Sequence, residues 1–265
     1  MPSRILSSEK IVKGESRGKE KTKFSSLTVP SRLLSSMKTV KGENEKADTA
    51  TLNLLPSCGV PTIHFFVSLK IQRNMKLKGS LTEQNLLKAF AGESQARNRY
   101  TFFAQTAREE GYEQIAGVFA ETADQELAHA RRFFDFLDEG GMVTIEAEYP
   151  AGRIGKTKEN LYEAAEGELL EWSDLYSNFS TIAVDEGFKD VAAAFRAIAR
   201  VEEFHEWRYR QLLARMEEHE VFRREEPIKW QCRHCGYVHE GLNPPEKCPA
   251  CLHPKAYFEP KRLNY

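Results

Sequence analysis

The sequence predicts a mainly α-helical protein in which a four-helix bundle precedes a small C-terminal metal-binding domain with four cysteines. Two observations predict the bundle. Residues 76–222 carry helical patterns, and within them a lone Glu is followed 33 or 34 residues later by Glu-x-x-His, twice over. A third observation predicts the small domain: two Cys-x-x-Cys pairs lie within residues 227–265. This segment is too short to hold a core without a metal or a similar staple.

The composition of the 265 residues is ordinary for a globular protein: 41% are hydrophobic, 29% are charged, and the formal net charge is −1. The charge is uneven, because residues 1–74 hold 13 Lys and Arg against 6 Asp and Glu, or +7, which leaves −8 for the rest. The near-zero total gives no indication of nucleic-acid binding. The sequence contains no apolar run of about 18 residues, so we expect no membrane span.

Residues 1–74 differ from the rest of the chain because they are rich in Ser, Lys and Gly and follow no sustained helical or strand period. A Pro-Ser-Arg segment that begins at Pro2 returns at Pro30, an offset of 28 residues. Such a low-apolar segment cannot bury a core, which predicts disorder. A basic, Ser-rich arm is also typical of a transit peptide, but its acidic residues argue against that alternative. Because Met75 begins a stretch typical of a natural start, we interpret residues 1–74 as a disordered or mis-assigned extension.

The helical patterns define four helices and one long connection. Ser80-Leu81-Thr82-Glu83 fits a capping box at the start of the first helix. Glycines mark the helix ends at Gly111, Gly140 and Gly187. Two helical hairpins joined by one long crossover match a ferritin-like bundle, which we assign to residues 75–222. We expect helices over about residues 81–110, 112–139, 157–185 and 188–218, with residues 140–156 as the connection.

The repeated Glu and Glu-x-x-His pattern predicts a dinuclear metal site inside this bundle. Known di-iron and di-manganese carboxylate bundles draw one Glu from each of two helices and Glu-x-x-His from each of the other two. Residues three apart lie on one helix face, so Glu126 and His129 can bind the same ion. Glu171 lies three residues after Glu168 and adds a fifth inward carboxylate. The candidate ligands are Glu93, Glu126, His129, Glu168, Glu171, Glu202 and His205.

The alternative to metal binding is a solvated helix face, which is the usual role of a single Glu-x-x-His. Two copies in matched halves, each preceded by a Glu at nearly equal spacing, are far less frequent by chance. We expect Glu93 and Glu168 to bridge or chelate from the facing helices. Tyr100 and Tyr176 return to the same helix sides as these residues. They can hydrogen-bond the ligand carboxylates or donate protons, or they can serve as plain core aromatics.

Formal charge gives Glu171 a separate role. Four carboxylates neutralise two ferrous ions, or two ferric ions with an oxo bridge, whereas a fifth leaves the site at −1. We therefore infer that Glu171 favours the oxidised pair and that its contact weakens on reduction. His129 would then take its place on one iron. Carboxylate and imidazole ligands favour iron or manganese over metals that prefer thiolate.

The cysteines predict a second metal site. Cys232-Arg233-His234-Cys235 and Cys248-Pro249-Ala250-Cys251 are separated by 12 residues, and two such turns make a tetrahedral four-sulfur site for zinc or iron. Zinc would make the domain structural, whereas iron would make it a one-electron carrier. This cysteine usage suits a metal site in a reducing compartment better than a disulfide framework, and Cys58 stands alone. The residues expected to shape and cover the site are Gly236, Trp230, Tyr237 and Phe258.

From Met75 to Tyr265 the chain resembles the rubrerythrin family, and its Cys-x-x-Cys-Gly-Tyr and Cys-Pro-x-Cys motifs resemble rubredoxin, which favours iron over zinc. The stretches that carry the family resemblance are Ala89 to Asn98, Glu121 to Glu126, Gly167-Glu168 with Glu171, Glu202 to Glu206, and Trp230 through Cys251 to Ala256.

The resemblance implies a cytoplasmic non-haem di-iron peroxidase that reduces hydrogen peroxide to water in defence against oxidative stress. Electrons would pass through the four-cysteine iron from a donor such as a rubredoxin or a rubredoxin reductase. The resemblance also implies a homodimer or larger assembly, in which one subunit's rubredoxin-like domain lies near the other's di-iron site. It assigns His129 to the histidine that exchanges with the position of Glu171. It assigns to the iron pair Glu93, Glu126, Glu168, Glu171, Glu202 and His205.

Three other functions remain open at this point. A ferroxidase or iron-handling protein would use the same bundle, but it would not need an attached electron carrier. A non-enzymatic module with a structural zinc site would need a degenerate bundle, whereas every ligand is present here. A di-manganese or mixed-metal oxidase is the third alternative, because the sequence does not fix the metal.

Overall fold

The computed structural model describes residues 76–263, so the 28-residue repeat and Cys58 lie outside the described part of the chain. The helices are α1 (Leu81–Glu109), α2 (Glu113–Phe134), α3 (Thr157–Leu170), α4 (Tyr176–Asp185) and α5 (Lys189–Glu217). A π-helical turn (Glu171–Leu175), here called the π turn, joins α3 to α4. The strands are β1 (Ile228–Cys232), β2 (Val238–Gly241) and β3 (Phe258–Pro260), with a 3-10 helix at Lys255–Tyr257.

The helices form a bundle of two hairpins, in which α1 packs along α2 and the continuous α3, π turn and α4 pack along α5. Residues 141–156 connect the hairpins without helix or strand. The predicted fold class, a mainly helical bundle with a small four-cysteine domain, is therefore confirmed. In residues 76–263, no helix combines the length and the apolar character that a membrane span requires.

The second helix ends earlier than the sequence predicts, at Phe134 instead of Glu139. The N–H groups of Phe136 and Leu137 donate to carbonyl groups only three residues back, so the chain tightens into a turn. The side chains of Phe136 and Leu137 then pack against the apolar cluster around Phe133. Burial of these two side chains against the bundle replaces the last helical turn that the pattern predicted.

The bundle core consists of two apolar clusters, and the candidate ligands lie between them along the helices. On α1, for example, Glu93 lies between Ala89 of one cluster and Ala96 of the other. This arrangement keeps water away from the ligand layer and strengthens every electrostatic interaction within it. The first cluster includes Tyr100, Phe103, Phe119 and Tyr209, and the second includes Phe133, Tyr176 and Phe195.

Each hairpin caps the first helix of the other. Glu186, directly after α4, accepts hydrogen bonds from Leu81 N at 3.1 Å, Thr82 N at 2.8 Å and Thr82 Oγ1 at 2.6 Å. Glu110, directly after α1, accepts one from Thr157 N at 3.0 Å. A carboxylate at a helix N-terminus satisfies free N–H groups and interacts favourably with the helix dipole. These two residues therefore fix the hairpins to one another.

The predicted capping box at the start of α1 forms only in part. Ser80 Oγ accepts a hydrogen bond from Glu83 N at 3.0 Å, as expected. The Glu83 carboxylate, however, accepts from Gly79 N at 2.6 Å and not from Ser80 N. The reason is that Ser80 N already donates to Leu77 O at 3.0 Å.

The C-terminal domain is a three-stranded antiparallel sheet in the order β2-β1-β3. Its core contains little more than Trp230, Phe258 and the cysteines. The Trp230 Nε1 donates to Gly241 O at 2.9 Å, which closes the β1–β2 edge. The domain packs on α2: a Cβ atom added to Gly117 of α2 would lie 2.9 Å from Cζ of Arg233. The small core leaves the metal site as the main staple of this domain.

We predict that Glu186→Ala lowers the free energy of unfolding by about 1–2 kcal/mol, because two N–H groups of α1 and the Thr82 hydroxyl lose their acceptor. The midpoint of thermal unfolding, followed by circular dichroism, should fall by roughly 2–8 °C. The matched control is Asp185→Ala, which removes an exposed neighbouring carboxylate that makes none of these contacts. Equal midpoints for the two variants would contradict this account of the cap.

Candidate metal centres

Four of the candidate carboxylate ligands and His205 lie in one buried layer of the bundle. Glu93 projects from α1, Glu126 from α2, Glu168 from α3 and Glu202 from α5, and each has 0% of its surface exposed. His205, one turn after Glu202, is 1% exposed. Carboxylates buried without compensating positive charge are very costly. The layer therefore requires cations or protons between its oxygen atoms.

The ligand atoms form two overlapping groups, each with its atoms within 4.8 Å of one another. Glu126 and Glu202 belong to both groups, which is the arrangement expected of carboxylates that bridge two ions. Glu93 and Glu168 each belong to one group, so the geometry favours chelation over bridging for these two. The first group is Glu93, Glu126, His129 and Glu202, and the second is Glu126, Glu168, Glu202 and His205.

The two imidazoles complete the groups from opposite ends. The His129 Nδ1 lies 2.9 Å from Glu126 Oε2 and 2.9 Å from Glu202 Oε1. The His205 Nδ1 lies 2.7 Å from Glu202 Oε2 and 3.2 Å from Glu126 Oε1. The ring centroids are 6.0 Å apart. Both Nδ1 atoms therefore face the shared carboxylates.

The residues fit a pair of metal ions. Within the described residues, six buried side-chain atoms of this layer have no hydrogen bond of acceptable geometry, although they converge on one another. Such orphaned atoms are what a metal ion satisfies, because it accepts lone pairs from several directions at once. The atoms are Glu93 Oε2, Glu126 Oε1, Glu168 Oε2, both Glu202 oxygens and His205 Nδ1.

The pKa shifts show where positive charge is favoured. Burial and the nearby Glu202 hold the pKa of Glu93 well above its usual range. Burial and Glu126 raise the pKa of Glu168 to about 8. Burial opposes protonation of His205, yet the adjacent carboxylates of Glu126, Glu168 and Glu202 raise its pKa to about 12. A proton on imidazole thus takes the position that a metal cation favours, and the two compete.

Tyr100 and Tyr176 each bond the lone Glu of the other hairpin. The Tyr100 hydroxyl donates to Glu168 Oε1 at 2.6 Å, and the Tyr176 hydroxyl donates to Glu93 Oε1 at 2.5 Å. Burial raises the pKa of both hydroxyls well above their usual value, so both stay protonated as donors. The sequence placed each tyrosine beside the Glu of its own helix, but the bundle brings it to the opposite one. Both tyrosines therefore orient candidate ligands.

Gln125 supports His205 and was missed by the sequence reasoning. Its Oε1 lies 2.8 Å from His205 Nε2, so Gln125 fixes one ring nitrogen while Nδ1 faces the Glu202 carboxylate. The two halves of the bundle repeat at an offset of 76 residues here, and Val201 occupies the position that would support His129. Among the described residues, His129 makes its polar contacts only through Nδ1. The sequence places Gln125 directly before the candidate ligand Glu126, but many surface residues also lie next to ligands, so this position alone does not predict a role.

The structure places Glu171 outside both ligand groups and His129 inside one of them. Glu171 opens the π turn, and its Oε1 lies 3.8 Å from where a Cβ atom of Gly92 would be. Burial, followed by Glu168, raises its pKa well above the usual range. Glu171 is therefore close to the ligand layer without being part of it.

The π turn has a counterpart in the sequence spacing. Glu93 and Glu168 are 75 residues apart, whereas Tyr100 and Tyr176 are 76 apart. The second hairpin therefore has one additional residue between its Glu and its Tyr, which is where residues 171–175 wind as a π-helix. A single inserted residue in an α-helix is commonly absorbed as a π turn. The insertion places Glu171 where the first half has no carboxylate.

The four cysteines form the second centre. The sulfur atoms of Cys232 and Cys251 lie 3.8 Å apart, and those of Cys235 and Cys248 lie 3.6 Å apart. A tetrahedron of sulfurs about 2.3 Å from a metal ion has edges of about 3.8 Å, so the residues fit a metal ion. Burial raises the pKa of Cys248, but backbone N–H groups of Cys251 and Ala250 lower it to about 7. These groups favour the thiolate form that binds metal.

Gly236 shapes the first cysteine turn as predicted. Its φ of +79° lies in the left-handed region, and its N–H donates to Cys232 O at 2.8 Å. Leu252 occupies the matching position after Cys251, with a φ of +62° and an N–H bond to Cys248 O at 2.9 Å. The two turns are therefore repeats of one backbone geometry.

Two family profiles match this chain, one in the helical bundle and one in the four-cysteine domain. The family profile described as "Rubrerythrin" matches residues 84–213. The profile described as "Rubrerythrin, rubredoxin-like domain" matches residues 230–259. The two matches cover the helices with every candidate bundle ligand and the segment with all four clustered cysteines.

Individual relatives extend over the same region. Rubrerythrin of Porphyromonas gingivalis is 60% identical over 199 residues, which cover 75% of this chain and 99% of that protein. Rubrerythrin of Nitratidesulfovibrio vulgaris is 53% identical over 189 residues, 71% of this chain and 98% of that protein. A solved structure of nigerythrin in a fully reduced, all-ferrous state is 31% identical, covers 78% of this chain and 100% of that chain, and has a TM-score of 0.46. The chain belongs to the rubrerythrin family, whose members carry a di-iron site in a ferritin-like bundle and a rubredoxin-like four-cysteine iron site.

Proposed function

We propose that this protein is a non-haem di-iron peroxidase that reduces hydrogen peroxide to water. The observation that supports it most is the convergence of six orphaned ligand atoms in a chain that also carries a four-cysteine site. The reaction consumes two electrons and two protons per peroxide. When bound, the iron pair supplies two electrons to the O–O bond, and the four-cysteine iron supplies replacements one at a time.

The protein side chains position the reactants and hold protons. Glu126 and Glu202 lie between the two groups and would hold both ions at a fixed separation. The hydroxyls of Tyr100 and Tyr176 fix Glu168 and Glu93 and keep a proton within hydrogen-bond distance of each carboxylate. A proton held there is available when a product oxygen develops negative charge. The surrounding apolar clusters exclude bulk water from these steps.

We further propose that His129 and Glu171 exchange places at one iron as the oxidation state changes. Two observations support this exchange. Gln125 holds His205 at its second nitrogen, whereas Val201 gives His129 no such bond. Glu171 Oε1 lies 3.8 Å from the Cβ position of Gly92, and Gly92 has no side chain to occupy that position. The arrangement with His129 inside the group corresponds to the reduced form in this proposal.

The proposal includes partners and setting. A rubredoxin or a rubredoxin reductase would supply single electrons to the four-cysteine iron. The protein would act in the cytoplasm as a homodimer or larger assembly, with the rubredoxin-like domain of one subunit near the bundle of another. The small domain packs on α2, the helix that carries Glu126, so the two centres are also linked within one chain.

We predict that iron-loaded protein consumes hydrogen peroxide steadily under anaerobic conditions when reduced rubredoxin is the donor. Cys235→Ser should abolish this steady turnover, because it removes one sulfur of the electron relay. The variant should keep one stoichiometric round of oxidation when its bundle iron is reduced beforehand. Peroxide consumption at background rate, together with rapid oxygen-dependent accumulation of ferric iron, would instead favour the ferroxidase alternative.

We predict that Gln125→Leu weakens iron binding in the bundle by roughly 10–100-fold, because His205 loses the group that orients its ring. The affinity is measured by anaerobic ferrous titration against a competing chelator. Asp124→Ala, at an exposed neighbouring position on α2, is the matched control and should bind iron as the parent does. If Gln125→Leu binds ferrous iron with unchanged affinity, Gln125 does not support the metal site.

We predict that removing iron destabilises the bundle, because the buried carboxylates then lose their main source of positive charge. Saturating metal at about 1,000 times its dissociation constant stabilises a folded protein by about 4 kcal/mol. Differential scanning calorimetry should therefore show a fall of roughly 8–16 °C in the unfolding midpoint after chelation. The Cys235→Ser variant isolates the contribution of the bundle metal. If its unfolding midpoint does not change after chelation, the metal site in the bundle is contradicted.

A further inference from the structure

A cavity of about 430 Å³ lies between α1, the α3–π turn–α4 segment and the connection that crosses outside them. Its walls are mainly apolar and include Ala89, Ala96, Leu170, Leu175 and Phe179. The space exists because α1 and α3 present small residues here. A Cβ atom added to Gly167 of α3 would meet no other heavy atom within 4 Å.

The inner end of this cavity reaches the ligand layer. Tyr100, Tyr176 and Glu171 all line it. The two tyrosine hydroxyls donate to Glu168 and Glu93, so the cavity wall is one hydrogen bond away from candidate ligands. A molecule in the cavity would therefore contact the residues that surround the reacting metal pair.

The outer end is partly covered by Tyr149 of the connection. The Tyr149 hydroxyl donates to Lys88 O on α1 at 2.9 Å. Its Cε1 lies 3.8 Å from the Cβ position of Gly92, the same distance as Glu171 Oε1. Lys88, Arg99, Glu146 and Glu148 also line the cavity and add charged groups. The cavity thus has a polar inner end, apolar walls and a mouth partly covered by one aromatic ring.

These properties do not match hydrogen peroxide. A water molecule occupies about 30 Å³ of liquid, and a peroxide molecule is only slightly larger. It is also fully polar and gains nothing from apolar walls. Sites for small organic ligands typically measure about 300–1,000 Å³ and combine apolar walls with a few polar groups at one end. The cavity has that size and that distribution of groups.

We propose that the cavity binds small organic hydroperoxides and that the protein reduces them to alcohols, an inference that rests on the peroxidase function proposed above. The apolar part of ROOH lies among Ala89, Leu170 and Phe179, and its peroxide group points toward Glu171 and the tyrosines. The O–O bond breaks as ROOH takes two electrons and two protons to give ROH and water. The electrons come from the reduced iron centres, as for hydrogen peroxide.

The first test measures binding without turnover. The protein is loaded with zinc, which does not change oxidation state, and cumyl alcohol, the product of cumene hydroperoxide, is titrated by calorimetry. Gly167→Phe fills the cavity from a position with open space, and Gly167→Ala is the matched control. We expect binding to the parent and to Gly167→Ala, and at least about tenfold weaker binding to Gly167→Phe. Equal binding to all three proteins, or no binding to the parent, would overturn the proposal.

The second test compares two peroxides in iron-loaded protein. Gly167→Phe should lower kcat/KM for cumene hydroperoxide at least about tenfold while kcat/KM for hydrogen peroxide stays within about twofold. Tyr149→Ala, which uncovers the mouth of the cavity, should instead raise kcat/KM for cumene hydroperoxide relative to kcat/KM for hydrogen peroxide. If hydrogen peroxide is reduced but cumene hydroperoxide is not, this inference fails and the peroxidase function stands. If neither peroxide is reduced, both fail.

Discussion

The mutual repulsion of buried carboxylates is the constraint on which the rest of this structure depends. Glu93, Glu126, Glu168 and Glu202 are fully buried in one layer. Desolvation and repulsion would drive such groups to take up protons or to leave the core. Positive charge between them reverses both effects, which is why the two histidines have raised pKa values and why a pair of metal cations suits the layer.

Other interactions in the bundle offset the unfavourable free energy of burying these carboxylates. Apolar clusters on both sides of the layer bury aromatic side chains such as Phe119 and Phe195. Glu186 and Glu110 cap helices across the two hairpins, so that neither hairpin can shift without breaking contacts of the other. Tyr100 and Tyr176 make similar contacts between hairpins within the layer, because each donates a hydrogen bond to the lone Glu of the opposite hairpin. The reciprocal contacts between the two hairpins therefore fix both the bundle and the positions of its ligand carboxylates.

Much of this organisation could be predicted from the sequence, because metal ligands must recur at fixed helical spacing. The lone Glu and Glu-x-x-His pairs predicted the bundle, its two hairpins and the residues of the buried layer. The two cysteine pairs predicted the second centre for the same reason. The fold class followed from these patterns and the family from the sequence resemblance, and both were confirmed.

The rest depended on contacts between segments that are distant in the sequence. Helical spacing places Tyr100 near Glu93, and only packing of the hairpins reveals that its partner is Glu168. The bond from Gln125 to His205 is likewise invisible along one helix. The π turn is the exception, because the change of spacing from 33 to 34 residues between the two Glu pairs carried its signal. The predicted end of α2 was wrong because tertiary packing of Phe136 outweighed the helical pattern.

The buried layer is suited to hold two iron ions in one coupled centre. The most direct measurement is Mössbauer spectroscopy of protein loaded anaerobically with isotopically enriched ferrous iron and then oxidised with peroxide. We expect two bundle irons per chain that become an antiferromagnetically coupled diferric pair, beside a third iron with the signature of four sulfur ligands. A single uncoupled ferric ion in the bundle, or none, would contradict it.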